Sequence, residues 1–152
     1  MIDLLPSQST ELGKFTESFE TSELRQNYFS SNELIESTFF EFIQQKTILT
    51  ASNGNDIVGF ICYIPKGAFH SFPLIHILTV IPEFRGHGFG KQIMEQFEKQ
   101  YIKGASKVFL VVADFNPKAK LFYEKNGYKQ VGSIPCLYRP NINESLMMKL
   151  IQ

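Results

Sequence analysis

The sequence predicts an α/β protein, a mixed sheet of about seven strands flanked by about four helices. Three observations predict it. Apolar residues recur at helical spacing through residues 1–45, the pattern changes to β-rich runs from Thr47, and strand-like and helix-like segments alternate from there to the end. With 152 residues, 43% of them hydrophobic, and no break in composition, one domain should form and bury roughly 70% of its unfolded surface.

Each element has its own signal. Residues 2–5 are a short apolar strand. Two helices should follow: Leu12, Phe15 and Phe19 make one face, and Leu34, Ile35, Phe39, Phe42 and Ile43 the other. Ser31 or Asn32 is placed to cap the second helix, and Glu33 and Glu36 suit the positive end of its dipole. Residues 47–51 and 57–64 are β-rich and joined by Ser52-Asn53-Gly54-Asn55-Asp56, a hairpin composition. A strand over 74–80 ends at Ile81-Pro82. The helix that starts near Gly90 carries Ile93, Met94, Phe97 and Tyr101 on one side and closes at Gly104. Residues 107–113 read as a strand buried on both faces. Asn116-Pro117 opens the next helix with a cap and a Pro at its first position, and Asn126-Gly127 ends it. Strands over 128–134 and 145–151, separated by a loop at 135–143, complete the chain.

Composition narrows the function. Fifteen Lys plus Arg against fifteen Asp plus Glu leave no net charge, which argues against a nucleic-acid or anionic-membrane surface held by bulk electrostatics. Cys62 and Cys136 are too few for a disulfide scaffold, and both are expected as buried free thiols in a reducing cytoplasm. Asp3 and Pro6 stand where a signal peptide would be basic and then apolar. The longest apolar runs, such as 108–113, fall far below the ~20 residues needed to cross a bilayer, so a soluble protein is expected. His70, His76 and His87 lack partners at ligand spacing, so no metal is expected.

The chemistry concentrates between the strand ending at Val80 and the helix near Gly90: Ile81-Pro82-Glu83-Phe84-Arg85-Gly86-His87-Gly88-Phe89-Gly90-Lys91. Three alternating glycines let the backbone approach a ligand, and amides at a helix N-terminus form an anion site suited to phosphate. Arg85 and Lys91 add positive charge. A cation in a first helical turn is ordinarily disfavoured by up to ~1 kcal/mol, a cost that a bound anion reverses. The dinucleotide fingerprint fails, because its third glycine would fall on Lys91 or Ile93. The P-loop fails too, because Gln92 follows Gly90-Lys91 and residue 85 is Arg.

Val80-x-Pro82-x-x-Arg85-Gly86-x-Gly88-x-Gly90 resembles the pyrophosphate-binding segment of the GNAT superfamily of N-acetyltransferases. Downstream, Asn116-x-x-Ala119-x-x-Phe122-Tyr123-x-x-x-Gly127-Tyr128 resembles the family's helix and "Tyr…Gly-aromatic" element. The resemblance runs from about residue 47 to the end; residues 1–45 match only in having two helices. It implies a mixed sheet splayed between its fourth and fifth strands, here 74–80 and 107–113, with acetyl-CoA in the gap. Residues 46–152 would form the acetyl-CoA-binding core and residues 1–45 an acceptor-side region. The backbone of Leu78, Thr79 and Val80 would pair with the pantetheine arm, and the Leu78 amide would polarise the thioester carbonyl, a contact usually worth several kcal/mol. The loop of Arg85, Gly86, His87, Gly88, Phe89, Gly90 and Lys91 would take the pyrophosphate. Asn116 would touch the cofactor arm besides capping its helix, Phe122 would pack under the cofactor, and Tyr123 would protonate the departing thiolate.

An attacking amine must be neutral, and a lysine-like amine of pKa ~10.4 is less than about 0.1% neutral at pH 7. Many relatives place a carboxylate on the fourth strand for this. Residues 74–80 have none, and Leu74 stands near the position that a glutamate often takes. His76 is the titratable group of that strand, on the same face as Leu78 and Val80. Water relayed to a backbone carbonyl, or Glu144, are the other routes. Neither cysteine falls in the matched motifs, so direct transfer from acetyl-CoA is expected. The acceptor, an amine-bearing small molecule or a protein terminus, would be shaped by the N-terminal helices and the 135–143 loop, with Tyr28, Phe29, Tyr138 and Arg139 as lining residues. A homodimer is left open. The alternatives are a non-catalytic acyl-CoA-binding or sensing module and, weakened by the failed fingerprints, a nucleotide-binding α/β protein.

Overall fold

A computed structural model describes residues 1–18 and 22–151. Its elements are β1 (Asp3–Pro6), α1 (Leu12–Ser18), α2 (Glu23–Tyr28), α3 (Asn32–Gln45), β2 (Ile48–Asn53), β3 (Asp56–Ala68), β4 (Phe72–Val80), α4 (Phe89–Gln100), β5 (Lys107–Ala113), α5 (Pro117–Lys125), β6 (Lys129–Ile134) and β7 (Glu144–Leu150). The strands form one seven-stranded mixed sheet in the order β1-β2-β3-β4-β5-β7-β6. The parallel ladder of β4 with β5 comprises two residue pairs, Leu74 with Phe109 and Ile75 with Leu110, although β4 runs on to Val80.

Five α-helices are present among the described residues, where about four were expected. The difference lies before β2. The Ser22 side chain accepts from the Arg25 amide at 3.2 Å and starts α2, and Ser31 accepts from the Leu34 amide at 3.1 Å and starts α3. A hydroxyl cap satisfies an otherwise orphaned first-turn amide; Ser31 is one of the two expected caps, and the additional helix is the one begun at Ser22. Phe19 lies outside the described residues. Leu34 is exposed, and the inward face of α3 is Ile35, Phe39, Phe42 and Ile43.

The chain divides into two compact units. The first contains Met1–Tyr63 and Ile77–Lys103. β2 and β3 form a hairpin in which Asn53 pairs with Asp56 across Gly54, whose φ of +64° suits glycine. Adjacent residues of β3 point to opposite faces. Phe60 and Cys62 join Phe15, Ile35, Phe39, Ile48, Ile77 and Ile81 in the core beneath α1 and α3. There the Phe15 ring meets Phe39 and Phe60 edge-on at 4.8 and 5.4 Å. Tyr63 faces the other way and meets Phe97 of α4 at 4.9 Å, while the Tyr101 hydroxyl donates to the Leu4 carbonyl at 2.7 Å.

The second unit contains Ile64–His76 and the residues from Gly104 onward. β5 is the interior strand; Val108, Phe109, Leu110, Val112 and Ala113 are all buried, as expected for a strand covered on both faces. β7 pairs antiparallel with β5 from Lys107–Leu150 to Ala113–Glu144, and β6 pairs with β7 across a bulge at Gln130–Gly132. The loop before β7 is tied down by the Asp114 amide donating to the Asn143 carbonyl and the Asn143 amide donating to the Asp114 carboxylate, at 2.9 and 3.1 Å. Cys136 in this loop is exposed, against the sequence expectation, because its turn leaves the ladder with Cys136 at φ +55°. Cys62 is buried as expected.

One close approach fixes where β4 ends. A Cβ at Gly59 would stand 2.4 Å from the Thr79 carbonyl oxygen and 3.0 Å from Ile93 Cδ1, so only glycine admits the end of β4 and α4 together. Gly59→Ala is expected to destabilise by about 1–3 kcal/mol, the usual cost of overpacking. Thermal unfolding would show this as a Tm lower by roughly 2–4 °C for each kcal/mol; an unchanged Tm would contradict the close approach.

Candidate active site

The glycine loop lies wholly in the first unit. After Val80 the Ile81 amide donates to the Val58 carbonyl at 2.8 Å, Pro82–Phe84 forms a single 3-10 turn, and Gly88 is the N-cap of α4. Gly86 and Gly88 hold φ of +81° and +80°, with nothing within 4 Å of an added Cβ. Glycine is therefore demanded by the backbone conformation, not by space. The first backbone bond of α4 is the Gln92 amide donating to the Gly88 carbonyl at 3.2 Å. The amides of Phe89, Gly90 and Lys91 thus have no intrahelical acceptor. No acidic residue occupies the first turn of α4, and Lys91 pairs with Glu95 only across an exposed 3.9 Å. Amides, left-handed glycines and an uncompensated helix N-terminus fit a diphosphate. The loop is braced by aromatic residues, with Phe89 ring contacts to Phe84 and His87 and a 3.1 Å bond between His87 Nδ1 and the Phe84 carbonyl.

Arg85 behaves differently from its neighbours. Its Nε donates to the Val80 carbonyl at 3.0 Å, and a terminal nitrogen donates to the carbonyl of Ser18 in α1 at 2.9 Å. The arginine therefore holds backbone. Thr79 is buried, and its hydroxyl accepts from the Ser18 hydroxyl at 2.8 Å, so only its backbone is open to a ligand role. Ser18 and Gly59, which support this end of β4, were not singled out from the sequence. A lone glycine in a strand is a weak hint of close approach, and a serine 67 positions from its arginine carries no local signal.

Strict alternation runs through β4: Phe72, Leu74, His76, Leu78 and Val80 are half-buried, and the residues between them are buried. His76 therefore shares its face with Leu78 and Val80, as expected. Desolvation lowers its pKa from the ordinary histidine value, so its imidazole is neutral at pH 7 and keeps a lone pair.

The second unit also holds Asn116, Phe122 and Tyr123. The Asn116 side chain accepts from the Ala119 amide at 3.3 Å and caps α5, with Pro117 at its first position. At the other end Gly127, at φ +95°, lets the Tyr128 amide return to the Tyr123 carbonyl at 3.0 Å. This turn places the buried Tyr128 ring 5.8 Å from that of Tyr123, and the Phe122 ring stands 5.3 Å from the same ring. Tyr123 is half-buried, and desolvation pushes its phenol above the ordinary tyrosine range, so it is protonated at neutral pH and suited to donating a hydrogen or proton.

The remaining candidates divide between the units. Tyr28 and Phe29 close α2 in the first, with Phe29 packed on Phe39 at 5.8 Å. Tyr138, Arg139 and Glu144 belong to the second. Glu144 is 3% exposed and opens β7 opposite Ala113 and Ile134. Burial, and then the Glu144 carboxylate, raise the Tyr138 phenol. Among the described residues no group of three or more His, Cys, Asp or Glu could hold a metal ion, and no helix is long and apolar enough to cross a membrane.

Residues 44–130, more than half the chain, match the family model of the acetyltransferase (GNAT) domain. No curated protein matches. Among solved structures, Ard1 from Thermoplasma volcanium is 20% identical with a TM-score of 0.79, covering 99% of this chain and 98% of its own. A GNAT-family acetyltransferase from Bacillus cereus ATCC 10987 is 14% identical with a TM-score of 0.78, covering 100% and 99%. Mutant forms of the spermidine/spermine N-acetyltransferase SpeG from Vibrio cholerae are 19% identical with a TM-score of 0.70, covering 99% and 95%. At these identities the structures establish a shared fold.

The depressed pKa of His76 makes stability pH-dependent in a defined direction. Near pH 6 the unfolded chain binds a proton there that the folded chain does not, so stability rises with pH. The contribution is fully present above the unfolded value of ~6.5 and is lost as pH falls from there through the lower folded pKa. Urea unfolding at pH 7.5 and 5.5 should show a larger loss for the wild type than for His76→Gln; equal losses would contradict a desolvated imidazole.

Proposed function

The chain belongs to the GNAT family of acetyltransferases, and on that premise we propose that it moves the acetyl group of acetyl-CoA directly to an amine acceptor. The observation that carries this reading is the loop at 86–91, whose left-handed glycines and unpaired helix-start amides suit the diphosphate of CoA. In the proposed reaction these amides hold the diphosphate and the backbone of Leu78 to Val80 lies along the pantetheine arm. The Leu78 amide faces the carbonyl oxygen as it becomes negative, Asn116 and Phe122 contact the cofactor arm, and Tyr123 donates its proton as the C–S bond breaks. The amine attacks as its neutral form, with the neutral His76 as the side chain proposed to take its proton.

The acceptor is proposed to be an amine-bearing small molecule or a protein terminus, seated against the N-terminal helices and the 135–143 loop. The neighbour SpeG is a spermidine/spermine N-acetyltransferase, which supports an amine acceptor as a class. The unpaired Cys62 and Cys136 are compatible with the reducing cytoplasm proposed as its location. A second reading, an acyl-CoA-binding module without turnover, is favoured by one feature: residues 72–80 contain no Asp or Glu.

CoA at a hundred times its Kd should stabilise the protein by ~2.7 kcal/mol, a Tm rise of roughly 5–11 °C for a chain of this size. Gly88→Glu, which places a side chain at φ +80° and a carboxylate in the anion site, should abolish the rise; an equal rise in the variant would remove the loop from the site.

Free-thiol release from acetyl-CoA across an amine panel separates enzyme from binding module. Amine-dependent release supports turnover, and binding without release supports the second reading. Because the Tyr123 pKa is raised, proton transfer to a thiolate is uphill, so Tyr123→Phe should reduce turnover toward the low end of the ~10²–10⁴ range. Undiminished turnover would exclude Tyr123 as the acid.

A further inference from the structure

Arg85 sits in the loop proposed to take a diphosphate, where its charge would ordinarily be assigned to the phosphates. Its guanidinium points elsewhere. One edge of the planar fork reaches the Val80 carbonyl at 3.0 Å, and a terminal nitrogen reaches the Ser18 carbonyl at 2.9 Å. Val80 is the last residue of β4, and Ser18 is the last described residue of α1. A guanidinium that donates to a carbonyl forms a charge-assisted bond. Ser18 is anchored a second time, through its hydroxyl to Thr79 at 2.8 Å, and is fully buried. Arginine, backbone and serine thus close a loop that joins α1 to the end of β4 entirely within the first unit.

We propose that Arg85 is a positioning residue for acetyl transfer, clamping the end of β4 to Ser18 of α1 and thereby setting the backbone that receives the cosubstrate, and that its charge is not a phosphate ligand. The proposal rests on the family reading, which places the pantetheine arm along Leu78 to Val80. Two consequences separate it from phosphate binding. The role depends on a fork with two donors held in one plane, which the point charge of lysine does not reproduce. It also acts through geometry, so its loss should weaken CoA binding to the same degree at low and high salt, whereas a lost phosphate contact would reduce the salt sensitivity.

The test is the CoA dissociation constant of the wild type, Arg85→Lys and Arg85→Ala by isothermal titration at 25 and 300 mM NaCl. It is run well below each Tm, with folding checked by circular dichroism. The proposal expects both variants to bind at least 10-fold more weakly, with the wild-type ratio of Kd between the two salts and no rescue by lysine. Two results would overturn it: an unchanged Kd, which makes the clamp purely structural, or a smaller salt ratio in Arg85→Ala that Arg85→Lys restores, which makes Arg85 a phosphate ligand. Should Arg85→Ala fail to fold, Arg85→Lys and Arg85→Gln decide between the same outcomes. Failure of the family reading is distinct, because the wild type itself would then not bind CoA.

Discussion

Within the first unit, the end of β4 is held from three directions, and the glycine loop inherits its position from that constraint. The Thr79 carbonyl lies over Gly59 where no side chain fits, the Ile81 amide is tied to Val58, and Arg85 grips the Val80 carbonyl. None of these contacts is large alone. A typical hydrogen bond contributes a net ~1 kcal/mol, and the close approach at Gly59 is a constraint more than an attraction. Their joint effect is geometric: the chain leaves β4 at one fixed point, turns through Pro82–Phe84 and delivers Gly86 and Gly88 to the start of α4.

The titratable groups proposed to act in the reaction share a second property. Burial drives the Tyr123 phenol up and the His76 imidazole down; the two shifts have one cause, removal from water, and each favours the uncharged form. A neutral phenol can donate and a neutral imidazole can accept. Each is also a weaker acid or base than its free counterpart, so in the proposed reaction their acid–base contribution would be modest beside positioning and the backbone amides. Cys62 shows the same physics without function: buried in the aromatic core, its thiol is pushed far from ionisation and is inert.

Much of this was legible in the sequence because local chemistry wrote it there. The glycines at 86 and 88 mark left-handed backbone, Asn116-Pro117 and Ser31 mark helix starts, and the apolar run of β5 marks burial on both faces. What was hidden depended on partners distant in the chain. The bonding of Arg85 to backbone needs Ser18, and the necessity of Gly59 needs Thr79 and Ile93. The division of the N-terminal helical region was hidden for another reason, since the cap at Ser22 leaves the apolar spacing almost unchanged. Exposure of Cys136 was missed because apolar neighbours in sequence, such as Leu137, are themselves exposed in the turn.

The unpaired amides at the start of α4 are the groups proposed to receive the diphosphate of CoA. Hydrogen exchange followed residue by residue, with and without saturating CoA, tests that role most directly. Slowed exchange is expected at the amides of 86–91 and at Leu78 to Val80, with α3 and β2 unchanged. Protection confined to other segments, or none at 86–91 while CoA is demonstrably bound, would contradict it.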